Sequence, residues 1–264
     1  MSLLAEERKK IILQELDDTG KVEVILLSKR LQVSNETIRR DMDVLEELGK
    51  LKRVYGGAVK IAHKDGEPAY NLRRVMNYAE KQAIGRQASE LLKDGDTIFL
   101  DTGTTVLELA RSIAGKKRIT IITNSLPAVH VLVESLNQEQ FTGQVILLGG
   151  EISPKQQSIS GLMSHEMLQN FYVDKAFLSV GGISPLHGIT DFDMNESLTS
   201  RMAAKRANEV IVLADHSKIG GNAFCHIAPI EVADMIISDQ DPPVSWIEDL
   251  ATHDITWIKV SLPE

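Results

Sequence analysis

The chain has 264 residues, 43% of them apolar and 25% charged, which suits one large domain or two unequal ones and excludes a disordered chain. No apolar run is long enough to span a bilayer, and Glu6 to Lys10 are charged with no apolar segment behind them, so no signal peptide is expected. The single cysteine, Cys225, excludes an internal disulfide framework and a cysteine zinc cluster, and a cytoplasmic location is expected. The net charge of −8 is unevenly spread. Residues 1–60 carry 12 Lys/Arg against 11 Asp/Glu, a net of +1, and the rest of the chain is strongly acidic. A near-neutral head on an acidic body fits two domains with different partners.

In chain order, Ile11, Ile12 and Leu16 mark one face of a first helix, stopped by Asp17-Asp18-Thr19-Gly20. Val22 and Val24 alternate around Glu23 as a short strand. Ile25–Leu31 reads as a second helix, Gln32-Val33 as a tight turn, and Ser34 as the N-cap of a third helix. In that third helix Ile38, Met42, Leu45 and Leu48 share the buried face, and Gly49 ends it. Lys50–Tyr55 and Ala58–Ala62 read as two strands joined by Gly56-Gly57. Residues 63–78 are polar, with Gly66 and Pro68, and form the best linker candidate.

Beyond the linker, short apolar strands alternate with helical stretches. The strands are Thr97–Leu100, Ile119–Ile122, Val145–Leu148, Ala176–Val180, Val210–Leu213, Met235–Ile237 and Ile255–Val260. The helices are Glu80–Leu92, Thr105–Ile113, Leu126–Leu136, Leu162–Asn170, Glu196–Ala207 and Val244–Leu250. That alternation predicts an α/β class, with a mostly parallel sheet covered by helices.

Helix, tight turn, helix and glycine-tipped hairpin make the layout of a winged helix-turn-helix. The buried residues of the third helix leave Asn35, Glu36, Arg39, Arg40 and Asp43 exposed, with the arginines in the half that reaches base edges. Lys50, Lys52 and Arg53 on the hairpin are placed to meet phosphates. The competing reading is a small helical dimerisation domain with an ordinary solvated face; the geometry favours DNA.

The residues themselves carry a resemblance. Leu31-x-Val33-Ser34-x-x-Thr37-Ile38-Arg39-Arg40-Asp41, then Leu45-x-x-Leu48-Gly49-x-Leu51-x-Arg53-x-Tyr55-Gly56-Gly57-Ala58, resembles the DeoR-type winged-helix signature. The resemblance implies operator contacts from Ser34, Thr37, Arg39 and Arg40. It accommodates Tyr55 before the paired glycines, and it suits a structural role for Asp41 in pairing with a nearby arginine.

In the body, Asp101-Thr102-Gly103-Thr104-Thr105 follows a strand and opens a helix, which sets backbone N–H groups and threonine hydroxyls at an anion-receptive helix N-terminus. Asp101 beside an anion either holds a sugar hydroxyl or orders the loop. Thr123-Asn124-Ser125, Gly149-Gly150, Gly181-Gly182 and Asp215-His216-Ser217-Lys218 end other strands, and in an open parallel sheet such loops gather at one crevice. Each alone is an ordinary strand-to-helix loop; together they favour a small phosphorylated or polyol ligand.

Glu80-Lys81-x-x-Ile84, Asp94-Gly95-Asp96, the 101–105 segment, Thr123-Asn124-Ser125, Gly149-Gly150 and Leu213-Ala214-Asp215-x-Ser217-Lys218 resemble the DeoR-type sensor domain, so that the resemblance covers nearly the whole chain. It implies a fold similar to ribose-5-phosphate isomerase and a phosphorylated-sugar effector. On that basis Thr102 to Thr105 cradle phosphate, and Thr123, Asn124, Asp215 and Lys218 line the sugar site. At Ser179-Val180-Gly181-Gly182-Ile183 many members have a polar residue where this chain has Gly181, which removes one ligand contact.

The alternative is a sugar-phosphate isomerase-like enzyme with an appended winged helix, drawing on Glu196, Lys205, Asp215 and Lys218 as acid/base groups. A fused DNA-binding head favours a sensor, and fold does not carry activity with it. No Walker A, His-Glu-x-x-His or Gly-x-Ser-x-Gly pattern occurs, so no catalytic residue, cofactor or metal is assigned. Cys225-His226 is too short a pair to hold a metal; His165, His226, Trp246 and Trp257 read as packing or ordinary polar residues. The expected organisation is a winged helix-turn-helix over 1–60, a linker over 61–78 and an effector-binding sensor domain over 79–264. The expected partners are operator DNA, a small phosphorylated sugar and further copies of the chain, as a homodimer or homotetramer, with no membrane.

Overall fold

The computed structural model describes residues 5–19, 21–47, 50–54, 56–59 and 67–262. They fall into two units, divided after Met76.

The first unit opens with α1 (Ala5–Thr19), β1 (Lys21–Glu23), α2 (Val24–Leu31) and α3 (Asn35–Glu47). Val24 begins α2 rather than ending β1, and its side chain enters the core with Leu27 and Leu31. The tight turn is made by Gln32 in the left-handed region, φ 52°. Ser34 then caps α3: its Oγ accepts the Thr37 N–H at 3.1 Å. The wing consists of β2 (Lys52–Val54) and β3 (Gly57–Val59), with β3 central between β1 and β2. Gly57 pairs with Val54 inside the ladder, so it is a strand residue rather than one of the two turn residues that the paired glycines suggest. The expected roles of Gly20, Leu48, Gly49 and Tyr55, and of the strand beyond Val59, lie outside the described residues.

Ile12 and Leu16 of α1, Leu27 and Leu31 of α2, and Ile38, Met42 and Leu45 of α3 close one core with Val22, Leu51 and Ala58. Arg8 reaches into this unit's interior. Its Nε and Nη2 donate to the two oxygens of Asp41 on α3, at 2.7 and 3.1 Å, a paired geometry that fixes the angle of α1 against α3. Within the stretch read as a linker, Tyr70–Val75 form a short helix, α4.

The second unit is built on seven parallel strands. In chain order it runs α5 (Tyr78–Glu90), β4 (Thr97–Leu100), α6 (Thr104–Ser112), β5 (Ile119–Thr123), α7 (Leu126–Asn137) and β6 (Gly143–Leu147). A hairpin, β7 (Glu151–Ser153) and β8 (Ser158–Ser160), precedes α8 (Leu162–Leu168) and β9 (Val173–Ser179). Then follow β10 (Gly182–Ser184), β11 (Gly188–Asp191), α9 (Met194–Arg206), β12 (Ala207–Leu213), β13 (Cys225–Ala228), β14 (Met235–Ser238), α10 (Ile247–Thr252) and β15 (Thr256–Lys259).

The main sheet has the order β15-β14-β12-β9-β4-β5-β6. The chain winds outward one way from β4 through β5 to β6, then returns to β9 and winds the other way. The order therefore reverses between β4 and β9, where a doubly wound sheet opens its crevice at the strand C-termini. Side chains alternate faces as strand geometry requires. Ile98, Leu100, Ile121 and Phe177 meet Ile84 of α5, Leu109 of α6 and Leu132 of α7. Phe99, Ile122, Ala176 and Leu178 meet Leu168 of α8 and Ala203 of α9 on the other face. A small antiparallel sheet, β10-β11-β13, packs through Ile183, Ile189 and Ile227 against Trp246 and Leu250. Trp246 stands edge-on to Trp257 at 6.1 Å, so both are packing residues.

Candidate functional site

On the first unit, α3 presents Asn35, Glu36, Arg39, Arg40 and Asp43 outward while Ile38, Asp41, Met42 and Leu45 are buried. Thr37 is half-buried, and its hydroxyl shares a hydrogen bond of 2.9 Å with Ser34 Oγ. Glu36 lies 4.0 Å from the Arg39 guanidinium and 3.5 Å from that of Arg40. Both contacts are solvent-exposed and weak, so phosphate or base edges can replace them. Lys50 is exposed at the start of the wing. Arg53 is turned toward α3: its backbone N–H donates to Glu46 at 2.6 Å, and its Nη1 donates to the Arg39 carbonyl at 3.3 Å and sits 3.5 Å from Asp43. That ties the wing to the third helix. Lys52 lies in β2, and its side chain, like Tyr55, is outside the described residues.

On the second unit, the loops singled out in the sequence all follow main-sheet strands and share the C-terminal edge. The 101–105 segment follows β4 and meets β9 at the switch point. The Asp101 N–H donates to the Phe177 carbonyl at 3.1 Å. The Asp101 carboxylate accepts from Thr102 N–H at 2.8 Å and from Ser200 Oγ on α9 at 2.7 Å. Burial pushes that carboxyl up to about 7, although the bonds from Ser200, Thr102 and Ser179 oppose the shift. Asp101 thus orders the loop, one of the two roles open to it. Gly103 is the N-cap of α6, with φ 141°, and a Cβ there would lie 2.2 Å from Ser179 Oγ. Thr102, Thr104 and Thr105 are all buried.

After β5, Thr123 Oγ1 accepts the Ser125 N–H at 3.1 Å, and Ser125 Oγ caps α7. Asn124 is wholly buried, and neither its Nδ2 nor its Oδ1 has a hydrogen-bond partner. After β9, the place of a Cβ on Gly181 is taken by the ring of Phe192, at 2.8 Å, which is the physical reason a polar side chain is not accommodated there. Nearby, α9 buries Glu196, whose carboxylate accepts a short hydrogen bond from Ser158 Oγ.

After β12, Asp215 is almost completely buried. It accepts from Asn77 Nδ2 at 2.9 Å and from Ser217 Oγ at 2.5 Å, and it faces the buried Lys81 ammonium at 3.9 Å. Burial raises its carboxyl, but Lys81, Lys218, Ser217 and Asn77 outweigh burial and hold it below the usual carboxylate range. Lys218 is half-buried. Next to it His216 is raised, first by its hydrogen bond to Asp239, against burial, and then by the charges of Asp239, Asp215 and Glu80.

Asn77, Lys81, Ser179 and Ser200 were not singled out from the sequence as site residues. Lys81 falls in a motif already noted, yet a lysine in a polar helix reads as solvated; only the packing of α5 against the sheet buries it. Ser179 and Ser200 have no sequence signal apart from their position at a strand end and in a helix.

The DeoR-like helix-turn-helix domain model matches residues 8–64, and the DeoR C-terminal sensor domain model matches residues 76–240. The chain is 36% identical to the HTH-type transcriptional regulator GolR of Listeria innocua, over 88% of this chain and 90% of that one. It is 30% identical to the glycerol-3-phosphate regulon repressor of Escherichia coli, over 94% of this chain and 96% of the other. Among solved structures, ribose 5-phosphate isomerase A of Methanocaldococcus jannaschii is 20% identical, covering 54% of this chain and 55% of its own, with a TM-score of 0.37. No helix among the described residues is long and apolar enough to cross a membrane. A signature-bearing third helix, a doubly wound sensor unit and relatives matched over almost their whole length lead to one conclusion: the chain belongs to the DeoR family of DNA-binding transcriptional regulators.

Proposed function

We propose that the protein is a cytoplasmic repressor of a carbohydrate-metabolism operon, and that a phosphorylated sugar at the C-terminal edge of its main sheet sets its affinity for the operator. The observation that carries the effector half is the first turn of α6. Its N–H groups lack intrahelical acceptors, it follows a glycine that no other residue can replace without a clash, and three buried threonines flank it. Lys218 and Lys81 supply positive charge in a unit that is acidic overall, where an anion needs a local cation. Thr123, Asn124 and Asp215 offer hydrogen bonds to sugar hydroxyls, and Asn124 has two polar atoms still to be satisfied. That one relative is named for a glycerol-3-phosphate regulon supports the phosphorylated class.

For the operator half, Asn35, Arg39 and Arg40 face the major groove. Ser34, Thr37, Lys50, Lys52 and Tyr55 contact the backbone, and Arg53 acts by holding the wing against α3. One such head buries too little surface for tight specific binding, so we infer a homodimer or homotetramer presenting two heads to the operator. The effector site acts by binding and not by turnover, in keeping with relatives named as regulators. The test is a thermal-shift screen of the full-length protein against phosphorylated and unphosphorylated sugars. A ligand at 100 times its Kd adds about 2.7 kcal/mol. Stabilisation by phosphorylated sugars alone supports the reading, and stabilisation by none of them, or loss of the sugar with time, contradicts it.

A further inference from the structure

Three side chains from three separate elements converge beside the effector loops, and no part of the proposed switch uses them. Glu80 lies in the first turn of α5, His216 in the turn after β12, and Asp239 directly after β14. One ligand-capable atom of each, two carboxylate oxygens and a ring nitrogen, lies within 4.8 Å of the other two. The backbone fixes their approach. Asp239 Oδ1 accepts the His216 N–H at 2.7 Å, and its Oδ2 is 2.7 Å from His216 Nδ1. Asn77, the N-cap residue of α5, donates to Asp215, the residue before His216, which anchors the helix end that carries Glu80.

We propose that Glu80, His216 and Asp239 bind one divalent transition-metal ion per chain, of the class of Zn²⁺. An imidazole with two carboxylates is the mixed nitrogen and oxygen donor set that such ions take, at bonds of about 2.0–2.2 Å. At such bond lengths the ligand atoms of a tetrahedral site stand about 3.3 Å apart, so the hydrogen-bonded His216 and Asp239 must open slightly while Glu80 closes on them. Glu80 and His216 are at least partly solvent-exposed, so they can make that adjustment and leave the remaining coordination positions to water. No sequence spacing announces the site, because the ligands come from distant segments that only the fold brings together. Once bound, the ion ties the start of α5, which carries Lys81, to the turn that carries Asp215 and Lys218. The proposal rests on this geometry alone and not on the effector assignment.

The test is Zn²⁺ titration of full-length, chelator-stripped protein against a chromophoric competitor, with Co²⁺ absorption as an independent readout. One ion per chain with micromolar or tighter affinity is expected. Glu80→Gln and His216→Ala should each weaken binding at least about tenfold. His130→Ala, which alters a separate exposed His–Glu pair on α7, should leave it unchanged. Asp239→Asn, which keeps an acceptor for the His216 N–H, serves if either other variant is unstable. Equal affinity in wild type and His216→Ala, or no stoichiometric binding, overturns the proposal whatever the sugar screen gives.

Discussion

Gly103 and Ser179 meet across the point where the strand order of the main sheet reverses: a Cβ on residue 103 would lie 2.2 Å from the Ser179 hydroxyl. The contact joins the loop after β4 to the end of β9, so the start of α6, where we propose that the phosphate docks, is set by the close approach of the Gly103 backbone to the Ser179 side chain. Gly103→Ala must relieve both that clash and a φ of 141°. We expect it to lower the effector's affinity by at least tenfold while operator binding, made by the other unit, persists. Calorimetric titration of the effector into the variant, beside an operator-binding assay, checks both halves.

Asp101 makes the stability of the sensor unit pH-dependent in a defined direction. Its carboxyl is raised from 3.8 to about 7 in the folded chain, so between those values the native state holds a proton that the unfolded state has lost. Its contribution to stability is therefore full at low pH and falls as pH rises through that window. From pH 5.5 to 8 the loss amounts to about 2 kcal/mol for this group. Asp101→Asn keeps an acceptor for the Thr102 N–H, sets an amide N–H against the Ser200 hydroxyl, which can accept it, and removes the titration. Urea unfolding at both pH values should show the variant losing about 2 kcal/mol less than wild type, and identical pH dependence would remove Asp101 from the account.

The arginine pair on α3 carries the operator prediction. Arg39→Ala should cost about 1–3 kcal/mol if the side chain reads a base. Lys52→Ala should weaken all sequences alike and reduce the salt slope by about one unit. A folded Arg39→Ala/Arg40→Ala protein with unchanged operator affinity would show that α3 is not the reading helix.

Arg8 acts on the same helix from behind. Removing its guanidinium leaves Asp41 buried and without its paired donors, so Arg8→Ala should destabilise the first unit by about 2–3 kcal/mol, between exposed-pair and buried-pair values. Pairing Arg8→Met with Asp41→Leu should recover most of that loss. Thermal unfolding of both variants separates this effect from any direct contact with DNA.

Much of this arrangement was legible before folding. The five inner strands of the main sheet announce themselves as apolar runs, because a strand buried on both faces is rich in Val, Ile, Leu and Phe, whereas the edge strands β6 and β15 are only partly buried and carry shorter runs. The exposed face of α3 follows from helical spacing alone. The strands that escaped notice, such as Ser158–Ser160 and Gly182–Ser184, are three residues long and rich in serine or glycine, so neither alternation nor propensity marks them. The loops of the candidate site were visible because each ends a strand. Its supporting groups were not. Lys81 looks like a surface lysine until α5 packs, and Ser200 is one of several small residues on α9 until it faces Asp101. Burial and long-range pairing are tertiary facts, and local pattern does not encode them.

The central claim is a coupling between two sites, and operator affinity measured as a function of effector tests it most directly. Fluorescence anisotropy of labelled operator should show a shift of roughly 5–150-fold on saturation with the phosphorylated sugar that stabilises the protein. Reciprocity requires operator DNA to change sugar affinity by the same factor. Thr104→Asp sets a carboxylate where the phosphate is proposed to dock, and Lys218→Ala removes a cation, so both variants should stay on the operator at effector concentrations that release the wild type. Release of all three proteins at the same concentration would put the effector elsewhere and contradict the account.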